Sequence, residues 1–285
     1  TEIARDTYTI EVVLYDVYRQ KMLMRKVYPN VLRASMRMQI HRVADDLYKE
    51  LSGITGAFST RLAYVSHKPG GKTYHLMVSE WDGAKEQEVL SSQAPILSPS
   101  WSKNGEFLAY AIKKGMRWEV VIQNLLTTER VLLSSIHPGL KDASAISAPA
   151  FSPNDKHLAV AVTQGSSNKD IYIVGLKDGY FRRLTTHYNV DTEPAWTPDG
   201  KTIFFSSDRG GGLQVYRADI ESGDTKRVTF EGSYNGRPQV APDGKSIVFV
   251  HGRNGGYNIA IQDLKSGVFN ILAEAKASLY ESPSF

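Results

Sequence analysis

The chain has 285 residues, of which 22% are charged and 41% apolar, with a net charge of +4 and no cysteine. That is the balance of a globular chain of one large or two ordinary domains. It excludes disulfides, thiol catalysis and cysteine metal sites. No run of ~18 apolar residues is present to span a membrane as a helix. The longest basic runs, Lys113-Lys114 and Arg182-Arg183, are too short for a nucleic-acid track, so no nucleic-acid partner is expected. The chain opens at Thr1-Glu2 with neither methionine nor an apolar signal segment, so a mature or trimmed form is expected.

Tyr8 to Tyr15 alternates Tyr8, Ile10, Val12 and Leu14 on one side, the period of a strand. Lys21 to Tyr28 reads as its hairpin partner, with Pro29 expected to stop the strand and Asn30 to cap the next element. Val31 to Leu51 reads as a helix, because Leu32, Met36, Ile40, Val43, Leu47 and Leu51 fall on one stripe that would pack on the hairpin. Ser52-Gly-Ile-Thr-Gly56 is the junction to the rest. Two strands and one helix make a thin domain. Residues 1–57 are therefore expected to be the C-terminal half of a small α/β domain, with more chain ahead of Thr1.

From residue 58 a motif recurs. Its copies are Pro99-Ser-Trp101, Pro149-Ala-Phe151, Pro194-Ala-Trp196, Pro238-Gln-Val240 and Pro283-Ser-Phe285, with successive prolines 50, 45, 44 and 45 residues apart. A period of about 45 is the size of one propeller blade. Each copy is followed by a turn such as Pro198-Asp-Gly200, then by three further short strands separated by Gly/Asp/Ser clusters such as Glu221-Ser-Gly223. Arg61 to Ser66, Tyr74 to Ser79 and Glu86 to Leu90 supply three strands of a first blade that lacks its own innermost strand. The fold class that results is mainly β. Residues 58–285 form a six-bladed β-propeller, truncated in its last blade, behind the α/β fragment. Closing the ring would take a strand from further C-terminal chain.

Trp101, Phe151, Trp196 and Phe285 share one repeat position, where an apolar side chain fills the gap between blades. Val240 in the same slot suits packing better than a stacking platform. The residues just before each proline differ from blade to blade: Leu97-Ser98, Ser147-Ala148, Asp191-Thr-Glu193, Asn235-Gly-Arg237 and Tyr280-Glu-Ser282. Variation inside a regular frame suggests one composite binding surface, though drift of exposed residues would leave the same trace. The long segment 134–147 accounts for the spacing of 50 and is expected to be a loop on that face. No Gly-x-Ser-x-Gly elbow, phosphate loop or His-Glu-x-x-His is present, and the seven histidines are dispersed, so no catalytic residue, metal or cofactor is expected.

The chain resembles the TolB family, the periplasmic propellers of the Tol–Pal system of Gram-negative bacteria. The carriers are Leu51-Ser-Gly-Ile-Thr-Gly-Ala-Phe-Ser-Thr-Arg61, the Pro99-Ser-Trp and Pro149-Ala-Phe copies, Thr192-Glu-Pro-Ala-Trp196, Gln214-Val-Tyr216 and Phe230-Glu-Gly-Ser-Tyr-Asn235. The resemblance implies a non-enzymatic scaffold that binds the peptidoglycan-associated lipoprotein Pal, and in some bacteria colicins, at the channel mouth. Such a protein supports envelope integrity and cell division and is peripheral to the outer membrane through Pal. TolA is met through an N-terminal segment that is absent here. By matching motif the partner-binding residues are Ala148, Thr192 and Glu193; repeat geometry extends them to Asn235, Arg237 and Glu281. Ala145-Ile-Ser147 stands where the family often has His-Asn-Gly. The competing readings are the propeller domain of a peptidase or lyase, or a generic interaction propeller.

Overall fold

The computed structural model describes residues 6–165, 168–253, 255–273 and 282–284. Compactness divides the chain into two units, Thr1–Tyr64 with Leu76–Leu90, and Val65–His75 with Ser91–Phe285.

In the first unit, β1 (Thr7–Asp16) and β2 (Lys21–Leu32) form an antiparallel hairpin. Asp16 Oδ1 accepts from the backbone N–H of Tyr18 and Arg19, both at 3.0 Å, and so closes the turn. Pro29 does not stop the strand as expected. It lies where the register slips between Tyr8 and Ile10, with Asn30 at φ 58°, and at a bulge no ladder bond needs the missing N–H. Asn30 is therefore part of the bulge rather than a helix cap, and the helix begins later than Val31. A 3-10 turn, Arg33–Ser35, leads into α1 (Met36–Ser52), which ends on Gly53 at φ 74°.

Of the expected stripe only Val43 is buried, while Leu32, Ile40 and Leu51 are exposed. Polar contacts add to the docking: Lys26 and Tyr28 both donate to Asp46 of α1. The Asp45 carboxylate accepts the N–H of Phe58 and Ser59 at 2.7 and 3.0 Å and folds the junction back on the helix. Gly56 lies so close that a Cβ there would come within 2.5 Å of Asp45 Oδ1 and 2.9 Å of its Cα.

A three-stranded sheet comes after the junction, β3 (Arg61–His67), β4 (Tyr74–Glu80) and β5 (Gln87–Ser92), in that order. Four blades come next. The first is β6 (Ile96–Trp101), β7 (Phe107–Lys114), β8 (Arg117–Asn124) and β9 (Arg130–Leu132). After α2 (Leu133–Ile136) comes the second, β10 (Ala145–Phe151), β11 (His157–Thr163), β12 (Asp170–Gly175) and β13 (Phe181–Arg183). The third is β14 (Asp191–Trp196), β15 (Thr202–Ser207), β16 (Gln214–Asp219) and β17 (Thr225–Arg227). The fourth is β18 (Tyr234–Val240), β19 (Ser246–Arg253), β20 (Gly256–Asp263) and β21 (Phe269–Ala273). Each is a sequential antiparallel meander, and a single bridge from Ala145 to Trp118 links the first two.

The apolar core lies between successive blades. Ala148, Ala159 and Ile171 of the second pack with Ile203, Phe205 and Tyr216 of the third, and Trp196 closes that cluster. Its indole Nε1 donates to Ala150 O at 3.0 Å, so the repeated aromatic both fills the gap and ties a blade to the one before. Phe151 and Val240 occupy the same slot in their own interfaces. The segment expected as a long loop is folded instead: α2 and the 3-10 turn Pro138–Leu140 bury Leu133, Leu140 and Ala143 in the core of the second blade. Arg117 holds it by donating to the carbonyls of Leu140 and Lys141 at 3.1 and 3.0 Å.

Candidate functional site

The innermost strand of each of the four described blades carries the same irregularity, and the backbone repeats it once more at Ser282. Ser98, Ala148, Glu193, Arg237 and Ser282, each directly before its proline, have φ of 51°, 49°, 55°, 54° and 56°. In β6, β10, β14 and β18 this residue sits in a register shift that places one extra residue on the inner strand. A non-glycine residue in the left-handed region costs about 1–2 kcal/mol. It persists only where the surroundings fix it, and such strain gathers at binding sites. The proline next in sequence spares the bulge an unpaired N–H.

At Glu193 and Arg237 the fixing groups are visible. Glu193 Oε2 accepts from Ser206 Oγ at 2.7 Å and from the Arg237 backbone N–H at 3.0 Å. That N–H is shared with Ser206 Oγ at 2.9 Å. The Arg237 side chain returns to the same carboxylate, Nε to Oε1 at 3.0 Å, and its Nη1 donates to Ser282 Oγ at 2.8 Å. Three successive pre-proline residues are thus joined in one polar chain across blade boundaries. Glu193 and Arg237 remain partly open to solvent.

The other candidates fall differently. Thr192 is half-buried beside Glu193 and paired in register with Ser206. Ala148 is only 8% exposed, and its methyl belongs to the apolar cluster with Ile171 and Ile203. Asn235 is 1% exposed, an interior group rather than a surface one. Its Nδ2 donates to Gln214 Oε1 at 2.8 Å and to Glu231 O at 2.6 Å, and its Oδ1 meets His251 Nδ1 at 2.8 Å. With Asn235 Oδ1 an acceptor, His251 carries its proton on Nδ1. Burial is the main cause that pushes the His251 pKa below its ordinary value. Glu281 lies outside the described residues.

One set of residues escaped the reading by motif. The third strands hold a buried polar group at one position: Glu119, Asp170, Gln214 and Asn258. Where partners are seen, each anchors the segment that leaves its own blade. Glu119 Oε2 accepts from Ser134 Oγ at 2.5 Å; Asp170 Oδ2 accepts from Arg183 Nη2 at 2.6 Å; Gln214 accepts from Thr229 Oγ1 at 2.8 Å. The signal was available as a polar residue opening an otherwise apolar strand, in Glu119-Val-Val, Asp170-Ile-Tyr and Gln214-Val-Tyr. These anchors hold the loops that deliver the pre-proline residues.

Among the described residues, one group has metal-like spacing, His41, Glu80 and Asp82 within the first unit. The Arg37 guanidinium donates to both carboxylates. Trp81 Nε1 donates to His41 Nδ1 at 3.3 Å, and an indole cannot accept, so the proton of a neutral His41 is on Nε2, facing Glu80 at 3.3 Å. No lone pair is left on the nitrogen that faces the carboxylates, and the group is an ion-pair cluster. Its hydrogen bonds to Arg37 come first among the causes that lower the Glu80 pKa.

The family model described as the TolB beta propeller domain matches residues 48–285. The chain belongs to the TolB beta-propeller family. The Tol-Pal system protein TolB of Bordetella pertussis is 40% identical over 183 residues, 64% of this chain and 40% of that one. The chain thus spans well under two thirds of the curated TolB proteins it matches. The crystal structure of TolB from Acinetobacter baumannii superposes with a TM-score of 0.86 at 39% identity, covering 99% of this chain and 69% of that one. An oligogalacturonate lyase in complex with manganese shares the fold alone, at 14% identity and a TM-score of 0.51, over 77% of this chain and 67% of that one. No described helix is long and apolar enough to cross a membrane.

Proposed function

We propose that the protein is a non-catalytic periplasmic scaffold of the Tol–Pal system. In this reading its propeller, residues 58–285, presents the pre-proline positions to the peptidoglycan-associated lipoprotein Pal. Residues 1–57 belong to a separate α/β domain, and TolA is met away from the propeller face. Envelope integrity and division depend on the lipoprotein link, and colicins would compete for the same face. The observation that carries the reading is the recurrence of a strained, non-glycine residue at one place in successive blades, at the positions where the repeats stop resembling one another. In this reading Thr192, Glu193 and Arg237, which are partly open to solvent, meet the partner. Ala148 and Asn235 serve by shaping the backbone from within.

The test is capture of the lipoprotein from a Gram-negative envelope extract by the full-length protein. Thr192→Arg and Arg237→Glu are the variants, because a bulky residue at Ala148 would disturb the core. Loss of capture by both, under conditions where circular dichroism shows each variant still folded, supports the site. Undiminished capture by both refutes it. Absence of the lipoprotein with peptidase or lyase turnover in its place refutes the scaffold reading as a whole.

A further inference from the structure

The repeat allows two neighbouring blade junctions to be compared residue by residue. At a shift of 44, Asp170 corresponds to Gln214, Thr185 to Thr229, and Asp191 to Asn235. Both threonines do the same work, each Oγ1 accepting at 2.9 Å from the backbone N–H just after the anchor. The polar pair does not. At the later junction an amide meets an amide, Asn235 Nδ2 donating to Gln214 Oε1. At the earlier one both positions are carboxylates, and neither has a hydrogen to give.

Asp191 is fully buried and spends both oxygens on Arg209 Nη2, at 2.9 and 2.8 Å. Asp170, 4% exposed, gives Oδ2 to Arg183 and to Asn168 Nδ2, the latter at 3.3 Å. Its Oδ1 is buried with no hydrogen-bond partner, and so is Asn189 Oδ1 on the loop between β13 and β14. Two orphaned acceptors at one junction call for a donor. Asn168 Nδ2 also donates to His187 O at 3.0 Å, so the Asp170 cluster already grips that loop.

We propose that Asp170 is a proton-binding site: its buried Oδ1 takes up a proton in the folded protein, and the hydroxyl so formed donates to the 185–191 loop that leads into Thr192 and Glu193. The proton supplies the donor that Asn235 supplies at the next junction. Losing it leaves a buried carboxylate oxygen uncompensated close to the charge of Asp191 and loosens the loop. Burial raises the Asp170 pKa and Asp191 adds to the rise, against Arg183 and Arg209, which pull it back. Tyr172 shares its strand, and its own pKa is raised, mainly by burial. The charged groups that act on the site are thus Arg183, Arg209 and Asp191. The two guanidiniums disfavour a metal ion as the missing partner.

The experiment needs no lipoprotein, so it stands apart from the Tol–Pal reading. Aspartate carboxyl carbons are labelled in the whole protein and monitored by NMR against pH, with Asp170→Asn for assignment. Amide exchange of the 187–191 segment is compared at about pH 5 and about pH 7.5 after correction for intrinsic rates. The expected result is an Asp170 midpoint at least about one unit above an ordinary carboxylate, which is about a tenfold change in proton affinity. Loop protection should fall about tenfold across that same titration and stay level in Asp170→Asn. An Asp170 midpoint at or below the ordinary range overturns the proposal, and should the variant not fold, that titration alone decides. A rise in unfolding midpoint on adding calcium chloride, present in the wild type and absent in Asp170→Asn, also overturns it, by making Oδ1 a cation ligand.

Discussion

Removing the Glu193 carboxylate should cost more than removing the arginine it pairs with. Glu193→Ala deletes three contacts: from Ser206 Oγ at 2.7 Å, from the Arg237 N–H at 3.0 Å and from Arg237 Nε at 3.0 Å. At about 1 kcal/mol each, the sum is about 3 kcal/mol. Partial exposure of the pair trims the ionic share, leaving about 2 kcal/mol. Arg237→Ala keeps its backbone N–H on the carboxylate and should cost about 1 kcal/mol. The double variant should show a coupling of about 0.5–1 kcal/mol, since the two side chains touch. Urea unfolding at fixed pH reads all three; at a slope of about 3 kcal/mol/M, Glu193→Ala moves the midpoint by roughly 0.7 M. Glu193→Gly should recover about 1 kcal/mol of the alanine loss, because glycine takes the left-handed backbone without strain. If Glu193→Ala costs no more than Arg237→Ala, the carboxylate does not hold the strained segment, and the account of the site built on it fails.

Trp196→Phe should lose about 1–2 kcal/mol through the indole bond to Ala150 O, and Trp196→Ala about 3–5 kcal/mol, read as a thermal midpoint. Gly56→Ala should be destabilising by more than about 1 kcal/mol, since the new methyl meets the Asp45 backbone; proteolysis within 52–61 is the assay. The His251 pKa is lowered in the folded state, so its contribution to stability is present above the ordinary histidine value of about 6.5 and is lost as pH falls below it. Removing the titration with His251→Gln should flatten that part of the stability profile. The Asp170 pKa is raised, so its contribution has the opposite sign, full below about pH 4 and lost as pH rises through the folded value. Asp170→Asn should flatten that slope and leave the histidine one intact.

The blades were legible because their signals are local and repeated. A proline, an aromatic and a glycine turn at a fixed period need no tertiary context to be read, and the observed strands track them closely. The hairpin and helix at the start were legible in type but not in boundary. Pro29 and Asn30 look like a stop and a cap, yet act as a bulge, because the register with β1 decides what a missing N–H costs. The segment after Leu133 was misread for a similar reason. Long and largely polar, it hides apolar side chains, and the burial of Leu133, Leu140 and Ala143 depends on packing with Val160 and Val162 of the second blade. At the site, sequence named the pre-proline positions but could not sort them. Only packing shows that Ala148 and Asn235 face inward while Glu193 and Arg237 reach one another across a blade boundary.

The extra residue in each inner strand also works as a frame shift. Side chains on a strand alternate between faces, so adding one position reverses the parity of everything before it relative to everything after. Thr192 and Ala195, an odd number of steps apart, are matched to Ser206 and Phe204, an even number apart. Counting by twos across Glu193 therefore assigns the wrong face. A deletion at that position is consequently a different experiment from a substitution. It would remove a strained link, but it would also swap which residues of β14 look toward the neighbouring strand's inner side and which look away. Gaps placed one residue off in an alignment of blades would carry the same error into every comparison of their inner strands.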